Sequence, residues 1–208
     1  LIIDKANFSF QGEDLKFLNK ISYKKYSNKK IIIRKSNIFF KDKTNETIAI
    51  MKVPDASIFY DNEIESNIFK LNGEVFKIPF DMSISQDLSS FKNREINIKT
   101  KKLKLNFHDK SIKKSKNLFE GKNIISIFSS KIITEYNLSK NLIIFKSSSS
   151  KIKNTNMSYK GKLSPEPFDL KLDFNMDKYN LSSLFNSDSI LTEFIKTRLL
   201  FNENISVN

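Results

Sequence analysis

The chain has 208 residues, of which 39% are hydrophobic and 28% charged, so it can bury a core as one domain or as part of a longer repeat array, and it is neither a disordered tail nor a bundle of membrane helices. Its formal net charge of +13 comes from lysine, and the shortage of Gly, Pro and Arg is typical of an AT-biased genome, so the basic charge alone indicates no particular partner. The absence of cysteine excludes disulfides, thiol catalysis and Cys-ligated zinc.

A ten-residue pattern begins the chain and recurs along it. Residues 1–10 align without gaps on residues 31–40, an offset of thirty, and further copies occupy residues 51–60 and, more weakly, 152–159. The small residue, the next apolar residue and the aromatic residue of each copy recur every second position, so they share one face of a strand. The repeat therefore predicts a sheet of similar hairpins with that face buried.

The third residue of each of the first three copies is aliphatic and is out of phase with this face. Ile3, Ile33 and Val53 each lie three residues before the small residue, so they would point to the wrong side of a regular strand. A β-bulge in the intervening pair would restore the phase, and Pro54, which cannot donate a ladder hydrogen bond, lies in that pair. We therefore predict a bulge at this point of the pattern.

A longer-range repeat starts at two glycines. Residues 73–85 recur as residues 161–173 with the same spacing from glycine to Pro-Phe-Asp, which predicts equivalent hairpins in which a positive φ at the glycines is useful. After each proline the chain alternates between apolar and polar residues, as one-sided strands do. We predict that the apolar set lines a groove: Phe80, Met82, Ile84, Phe168, Leu170, Leu172 and Phe174. The polar set is predicted to face water: Asp81, Ser83, Ser85, Asp169, Lys171 and Asp173.

Two segments depart from the strand pattern. Residues 14–21 have apolar side chains at helical spacing, and residues 188–200 carry an apolar stripe after Ser187, which can cap a helix. The predicted fold class is therefore mainly β, an extended, curved antiparallel sheet (a β-groove) of repeated hairpins with a C-terminal amphipathic helix.

We treat the chain as one repeat-containing β region. Its predicted sub-segments are hairpin repeats in residues 1–70, long alternating strands in residues 71–176 and a helix-containing end in residues 177–208. Because the chain opens on Leu1 and shows no leader, we expect it to be an interior fragment of a larger protein.

Residues that could carry catalysis are few. His108 is the only histidine, and its neighbour Asp109 should point to the opposite face of a strand, with no nucleophile pattern nearby. One histidine and no cysteine build no metal site, and four glycines could hardly form a phosphate loop. We therefore expect no enzymatic activity, no catalytic residue, no metal and no cofactor.

Lysines cluster at residues 24–25, 29–30, 99–104 and 110–116. Such clusters can contact phosphates, but the aromatic residues between them alternate onto the predicted buried face, and only three arginines accompany them. Nucleic acid is therefore not favoured as a partner. A basic rim facing anionic lipid headgroups explains the same lysines equally well.

The hairpin of residues 31–60, two strands joined by a polar turn, resembles the recurring hairpin of the AsmA-like family. Residues 71–80 and 159–169 resemble the later segment of that family, which runs from a glycine into an alternating strand, and the region after residues 177–181 resembles the short helix that follows. The resemblance implies a Gram-negative envelope protein, anchored in the inner membrane by a helix outside this fragment, with a periplasmic β-groove. Related proteins are implicated in outer-membrane assembly and phospholipid transport, and the family has no catalytic residues to carry over.

Two functions remain open. The first is a non-enzymatic cell-envelope protein that binds or conducts phospholipid, or another acyl-chain lipid, along an apolar β-groove between inner and outer membrane and supports outer-membrane assembly. The alternative is a structural or adhesive β-repeat protein with no lipid ligand, whose inner face packs dry against another layer. Neither hypothesis indicates a particular protein partner.

Overall fold

A computed structural model describes residues 1–11, 24–89, 93–115, 117–165 and 167–177 of the chain. All regular structure in these residues is β-strand, and the two predicted helices, at 14–21 and 188–200, lie outside them. The strands are β1 (Ile2–Asp4), β2 (Asn7–Gln11), β3 (Ile31–Lys41), β4 (Thr47–Asp61), β5 (Ser66–Val75), β6 (Ile78–Asp87), β7 (Asn93–Thr100), β8 (Leu105–Ser115), β9 (Leu118–Ile127), β10 (Ser130–Ser139), β11 (Leu142–Ile152), β12 (Thr155–Pro165) and β13 (Phe168–Met176).

The strands form one curved, open sheet of 13 strands. From β3 to β13 each strand pairs antiparallel with the next in the chain, whereas β1 and β2 both pair with β3 in parallel. Within the described ranges, each strand contacts no strand other than its hydrogen-bonded neighbours, so the strands form a single layer with β1 and β2 at one edge and β13 at the other. The predicted mainly β fold class is confirmed.

The thirty-residue offset of the repeat equals the pairing offset between β3 and its two parallel neighbours, β1 and β2. Every partner of β1 and β2 lies thirty residues further on in β3, so equivalent residues of the two copies are neighbours across the ladder. Lys5 and Lys35 occupy the same place in the two copies and both have positive φ, 55° and 48°. At this break the backbone N–H of Ala6 donates to Ser36 Oγ at 3.0 Å. The predicted change of phase is therefore present in both strands.

The third copy carries its irregularity in β4. Between Lys52 and Asp55 this strand has one residue more than the facing stretch of β5, which is a bulge at Val53 and Pro54. The predicted bulge is confirmed there. The fainter copy at 152–159 differs, because its polar pair forms the turn between β11 and β12.

The glycines of the second repeat do not have the predicted backbone. Gly73 and Gly161 have no positive φ, and the turn between β5 and β6 has positive φ at Phe76 and Lys77 instead. Gly73 pairs with Phe80, but Gly161 pairs with Leu172, so the two hairpins turn at different distances from their glycines. Both glycines lie inside strands, where an aromatic ring covers each of them. A Cβ at either position would collide with that ring, which explains why glycine is found there.

The buried core lies where β4 and β5 pair. Val53, Ala56 and Leu71 are 2–5% exposed and pack together. The half-buried residues around them come from β3 to β6: Ile33, Ile38, Met51, Phe69, Phe80 and Met82. The phase change at Pro54 is what brings Val53 onto the same side as Ala56, so the bulge completes this core.

Candidate functional site on the apolar face

One side of the sheet, the apolar face, is defined by a row of cross-strand partners. The row crosses nine strands from β1 to β10, and each member lies directly opposite the next: Ile3, Ile33, Ala56, Leu71, Met82, Ile98, Phe107, Ile125 and Ile132. Nine strands span about 38 Å at the usual separation of neighbouring strands. Alternation along each strand thus produces an unbroken apolar band across the sheet.

The seven predicted groove residues all lie on the apolar face. Met82 belongs to the row, and Phe80 and Ile84 flank it on β6. The other four lie on β13, where Leu172 is connected to the same side through Gly161 and Phe145. The two sets are not brought together, because seven strand spacings, about 34 Å, separate β6 from β13.

Exposure differs between these two sets. The β6 members are half-buried, whereas the four β13 members are 46–59% exposed. The residues predicted to face water lie on the opposite side, the charged face, as alternation requires. A groove of about 1130 Å³ lies on that charged face between β8 and β13, and none of the seven predicted residues lines it.

A polar cluster interrupts the apolar face beside the row. It consists of Arg94 on β7, Asp109 and Ser111 on β8, Asn123 on β9 and Tyr136 on β10, related by cross-strand pairing. Asp109 and Ser111 are 4% and 1% exposed. Within the described residues, Arg94 Nε, Asp109 Oδ2 and Asn123 Oδ1 are buried and have no hydrogen-bond partner. Such atoms are costly unless a polar group reaches them.

Tyr136 organises this cluster. Its hydroxyl donates to Asp109 Oδ1 at 2.8 Å, two strands away, and its ring lies across Gly121 of the intervening strand. A Cβ at Gly121 would overlap the ring, so only glycine leaves room for this hydrogen bond. The small residue is therefore what lets Tyr136 bridge β10 to β8.

Burial controls the electrostatics of the pair. Desolvation raises the pKa of Asp109, opposed by the hydrogen bond from Tyr136 and by the charges of Arg94 and His108. Desolvation, and next the charge of Asp109, raises the pKa of Tyr136 to about 12. The neutral phenol is thus the donor of the hydrogen bond to Asp109.

His108 is kept away from the cluster by strand geometry. It lies on the charged face, where its Nδ1 is 2.7 Å from Asn97 Oδ1 and 3.6 Å from Glu95 Oε1. Asp109 points to the apolar face instead, which confirms that the adjacent pair is split. No group of three potential metal ligands occurs in the part of the chain that the structure describes.

The polar cluster was not predicted from sequence, although a signal was present. Asp109 and Ser111 continue the phase of Leu105 and Phe107, so a strand that begins with apolar residues on one face ends with polar residues on it. A polar residue at a position where the alternation predicts an apolar one indicates that this face becomes polar there. What the phase could not predict is that Tyr136 crosses a glycine to reach the carboxylate.

Comparisons with family models, with curated proteins and with solved structures find no match for this chain. In the described ranges, the structure contains no helix long and apolar enough to cross a membrane.

Proposed function

We propose that the apolar face binds acyl chains of phospholipid or a related lipid and that the protein is a non-enzymatic binding or conducting module. The observation that carries the proposal is the unbroken row of nine apolar side chains, one from each of nine strands. An acyl chain needs a long apolar contact and few directional bonds, and apolar burial supplies such a contact.

The single-layer architecture supports an accessible face. No strand among the described residues packs on the sheet as a second layer, and Leu172 at the far edge is 49% exposed. Exposed apolar patches in proteins commonly mark binding surfaces. A flexible apolar ligand fits a face that is long, shallow and rich in branched and aromatic side chains.

The wider role belongs to the same proposal and depends on the resemblance to AsmA-like proteins. On that basis the module would act in the envelope of a Gram-negative bacterium, anchored in the inner membrane through a segment outside this chain and facing the periplasm. There it would pass lipid toward the outer membrane and support outer-membrane assembly.

A structural or adhesive role without a lipid ligand is the second candidate. The close-packed cluster of Val53, Ala56 and Leu71 favours it, because this part of the apolar face is covered by neighbouring side chains. If the remaining face were covered in the same way, no room for acyl chains would remain. The two functions therefore differ in whether the face stays accessible along β6 to β13.

The test uses Leu172→Asp and, as a matched control, Asn175→Asp on the charged face of the same strand. Each variant adds one negative charge to β13. Binding of a fluorescent fatty acid and a thermal melt are measured on both variants and on the parent protein. We expect Leu172→Asp to fold and to lose fatty-acid binding, and Asn175→Asp to fold and bind like the parent.

Three results would contradict the proposal. If Leu172→Asp unfolds while the control folds, the site is a packed core. If Leu172→Asp folds and binds as the parent does, the wrong face has been assigned. If the parent does not bind fatty acid, and mass spectrometry finds no lipid in extracts of the purified protein, the structural role is favoured.

A further inference from the structure

The charged face carries a ladder of ionic side chains across seven strands. From β7 to β13 the members lie directly opposite one another in this order: Glu95, Lys110, Lys122, Glu135, Lys146, Lys160 and Asp173. Two residues along β12 and β13, Lys162 and Lys171 form another directly opposed pair. These residues are far apart in the sequence, and only the pairing register of the seven strands makes them neighbours.

Six of the seven ladder residues, all except Glu95, line the groove of about 1130 Å³ between β8 and β13. Side chains of six consecutive strands line it, so the single-layer sheet is concave on its charged side there. The lining includes six lysines and three carboxylates, a formal excess of three positive charges. The six lysines are Lys110, Lys122, Lys146, Lys160, Lys162 and Lys171.

The lysines are arranged in pairs that repel. Like charges directly opposite each other in a sheet destabilise it, and this groove contains three such pairs. Lys122 has Glu135 at 3.6 Å and Lys160 has Asp173 at 4.0 Å. For the other four lysines, no carboxylate among the described residues lies within ion-pair distance. An anion placed between paired ammonium groups would replace this repulsion with attraction.

We propose that this groove binds a linear polyanion with closely spaced phosphate groups. Lysine supplies compact charges and several donors for phosphate oxygens, and the paired lysines can engage one phosphate from two strands. The site is on the opposite side of the sheet from the acyl-binding face and does not depend on that function.

The shape and the lining favour this occupant over two others. The lysines come from strands across a concave groove, and a flat membrane surface cannot follow that curvature. Single-stranded nucleic acid usually stacks its bases on exposed rings. Two aromatic residues, Tyr136 and Phe145, are among the residues that line the groove, but alternation along their strands directs both rings to the apolar face. A flexible phosphate chain needs neither a flat surface nor stacking.

The test compares two double variants by titration calorimetry with short-chain inorganic polyphosphate at low salt. Lys146→Gln/Lys160→Gln removes one groove pair. Lys131→Gln/Lys151→Gln removes a directly opposed lysine pair on β10 and β11 that does not line the groove. Both variants lose two positive charges, so a general effect of net charge is matched.

We expect the groove variant to bind polyphosphate at least about tenfold more weakly than the parent, and the control variant to bind within about twofold of it. Parent binding should weaken as salt is raised, because the contacts are ionic. The groove variant should melt like the parent, because it loses the repulsive pair together with one exposed ion pair, Lys160 to Asp173. It should also keep fatty-acid binding. Loss of polyphosphate binding together with retained fatty-acid binding would separate this site from the acyl-binding face.

Three outcomes would overturn the proposal. Equal loss of binding in the two variants would show that only net charge matters. Retained binding in the groove variant would show that the lysine pair is not a site. Tighter, Lys146- and Lys160-dependent binding of single-stranded DNA or of anionic phospholipid vesicles than of polyphosphate would assign the groove to that partner instead.

Discussion

Strands β3–β6 and strands β8–β13 both alternate apolar and polar residues, yet their apolar sides are covered to different degrees. In the first region Val53, Ala56 and Leu71 are at most 5% exposed. In the second, the four predicted groove residues of β13 are about half exposed, and β8 carries the buried Asp109 and Ser111 on the same side. One sequence pattern therefore leads to a closed core at β4 and β5 and to an accessible surface at β13.

Local geometry explains the difference. In the first region a bulge in β4 turns Val53 onto the side of Ala56, and half-buried residues from flanking strands surround both. In the second region the last strand has a neighbour on one side only, so nothing from the described chain covers Leu172 from the other. Alternation assigns a side chain to a face, but the neighbours on that face determine its burial.

The strongest test of this comparison introduces the same carboxylate into both regions. Val53→Asp buries a charge without a partner and should cost about 4 kcal/mol or more, a large part of the stability of an ordinary domain. Leu172→Asp should keep its carboxylate hydrated and lower the free energy of unfolding by less than about 1 kcal/mol. Urea denaturation of both variants measures the two costs. Similar costs would show that the regions do not differ in accessibility.

Glycine-to-alanine substitutions should have the opposite order of effects, with the larger loss of stability in the second region. A Cβ at Gly161 would lie 2.5 Å from the backbone oxygen of Lys171, which cannot move without breaking the ladder, so Gly161→Ala should cost about 1 to 3 kcal/mol. At Gly73 the nearest atoms belong to the outer end of the Phe80 ring, which can rotate away. Gly73→Ala should therefore cost less than about 1 kcal/mol. Thermal melts that rank Gly73→Ala as the more damaging change would refute this account.

In the second region, the buried polar cluster on β7 to β10 predicts an alkaline transition. The pKa of Tyr136 is raised to about 12 from the 10.0 of a free phenol, so between these values the folded state keeps a proton that the unfolded state has lost. Stability from Tyr136 is thus complete below pH 10 and decreases as pH rises toward 12, by on the order of 2 kcal/mol. Stability of the parent and of Tyr136→Phe is compared across this range. The variant should lack this component; parallel curves would contradict it.

The smallest effects are expected from exposed ion pairs, in both regions alike. Lys52 lies 2.9 Å from Glu74 in the first region, and Lys122 lies 3.6 Å from Glu135 in the second. Both lysines are more than half exposed, so Lys52→Gln and Lys122→Gln should each change the free energy of unfolding by less than about 0.5 kcal/mol. Urea denaturation at low and high salt checks this. A larger loss at Lys122 alone would mean that the charged ladder stabilises the sheet.

Much of the fold could be predicted because its signals are local. Period-two alternation predicted strands and assigned the seven groove residues to one face, and the misplaced aliphatic residues predicted the bulge that Pro54 occupies. The repeat predicted that residues 1–10 and 31–40 are alike, but not that they lie side by side in parallel. The glycine prediction was wrong because a glycine in a turn and a glycine under a ring look the same along the chain.

What the sequence by itself determined is the strand content, the phase of each strand and the excess of lysine. Tertiary structure decided everything that depends on which residues lie opposite each other: the unbroken apolar row, the bond from Tyr136 to Asp109, and the lysine pairs of the charged groove. The physical reason is that a side chain's face follows from its own strand, with a period of two residues. Its neighbours on that face come from other strands, and their register is set by turns and bulges that can shift every partner at once.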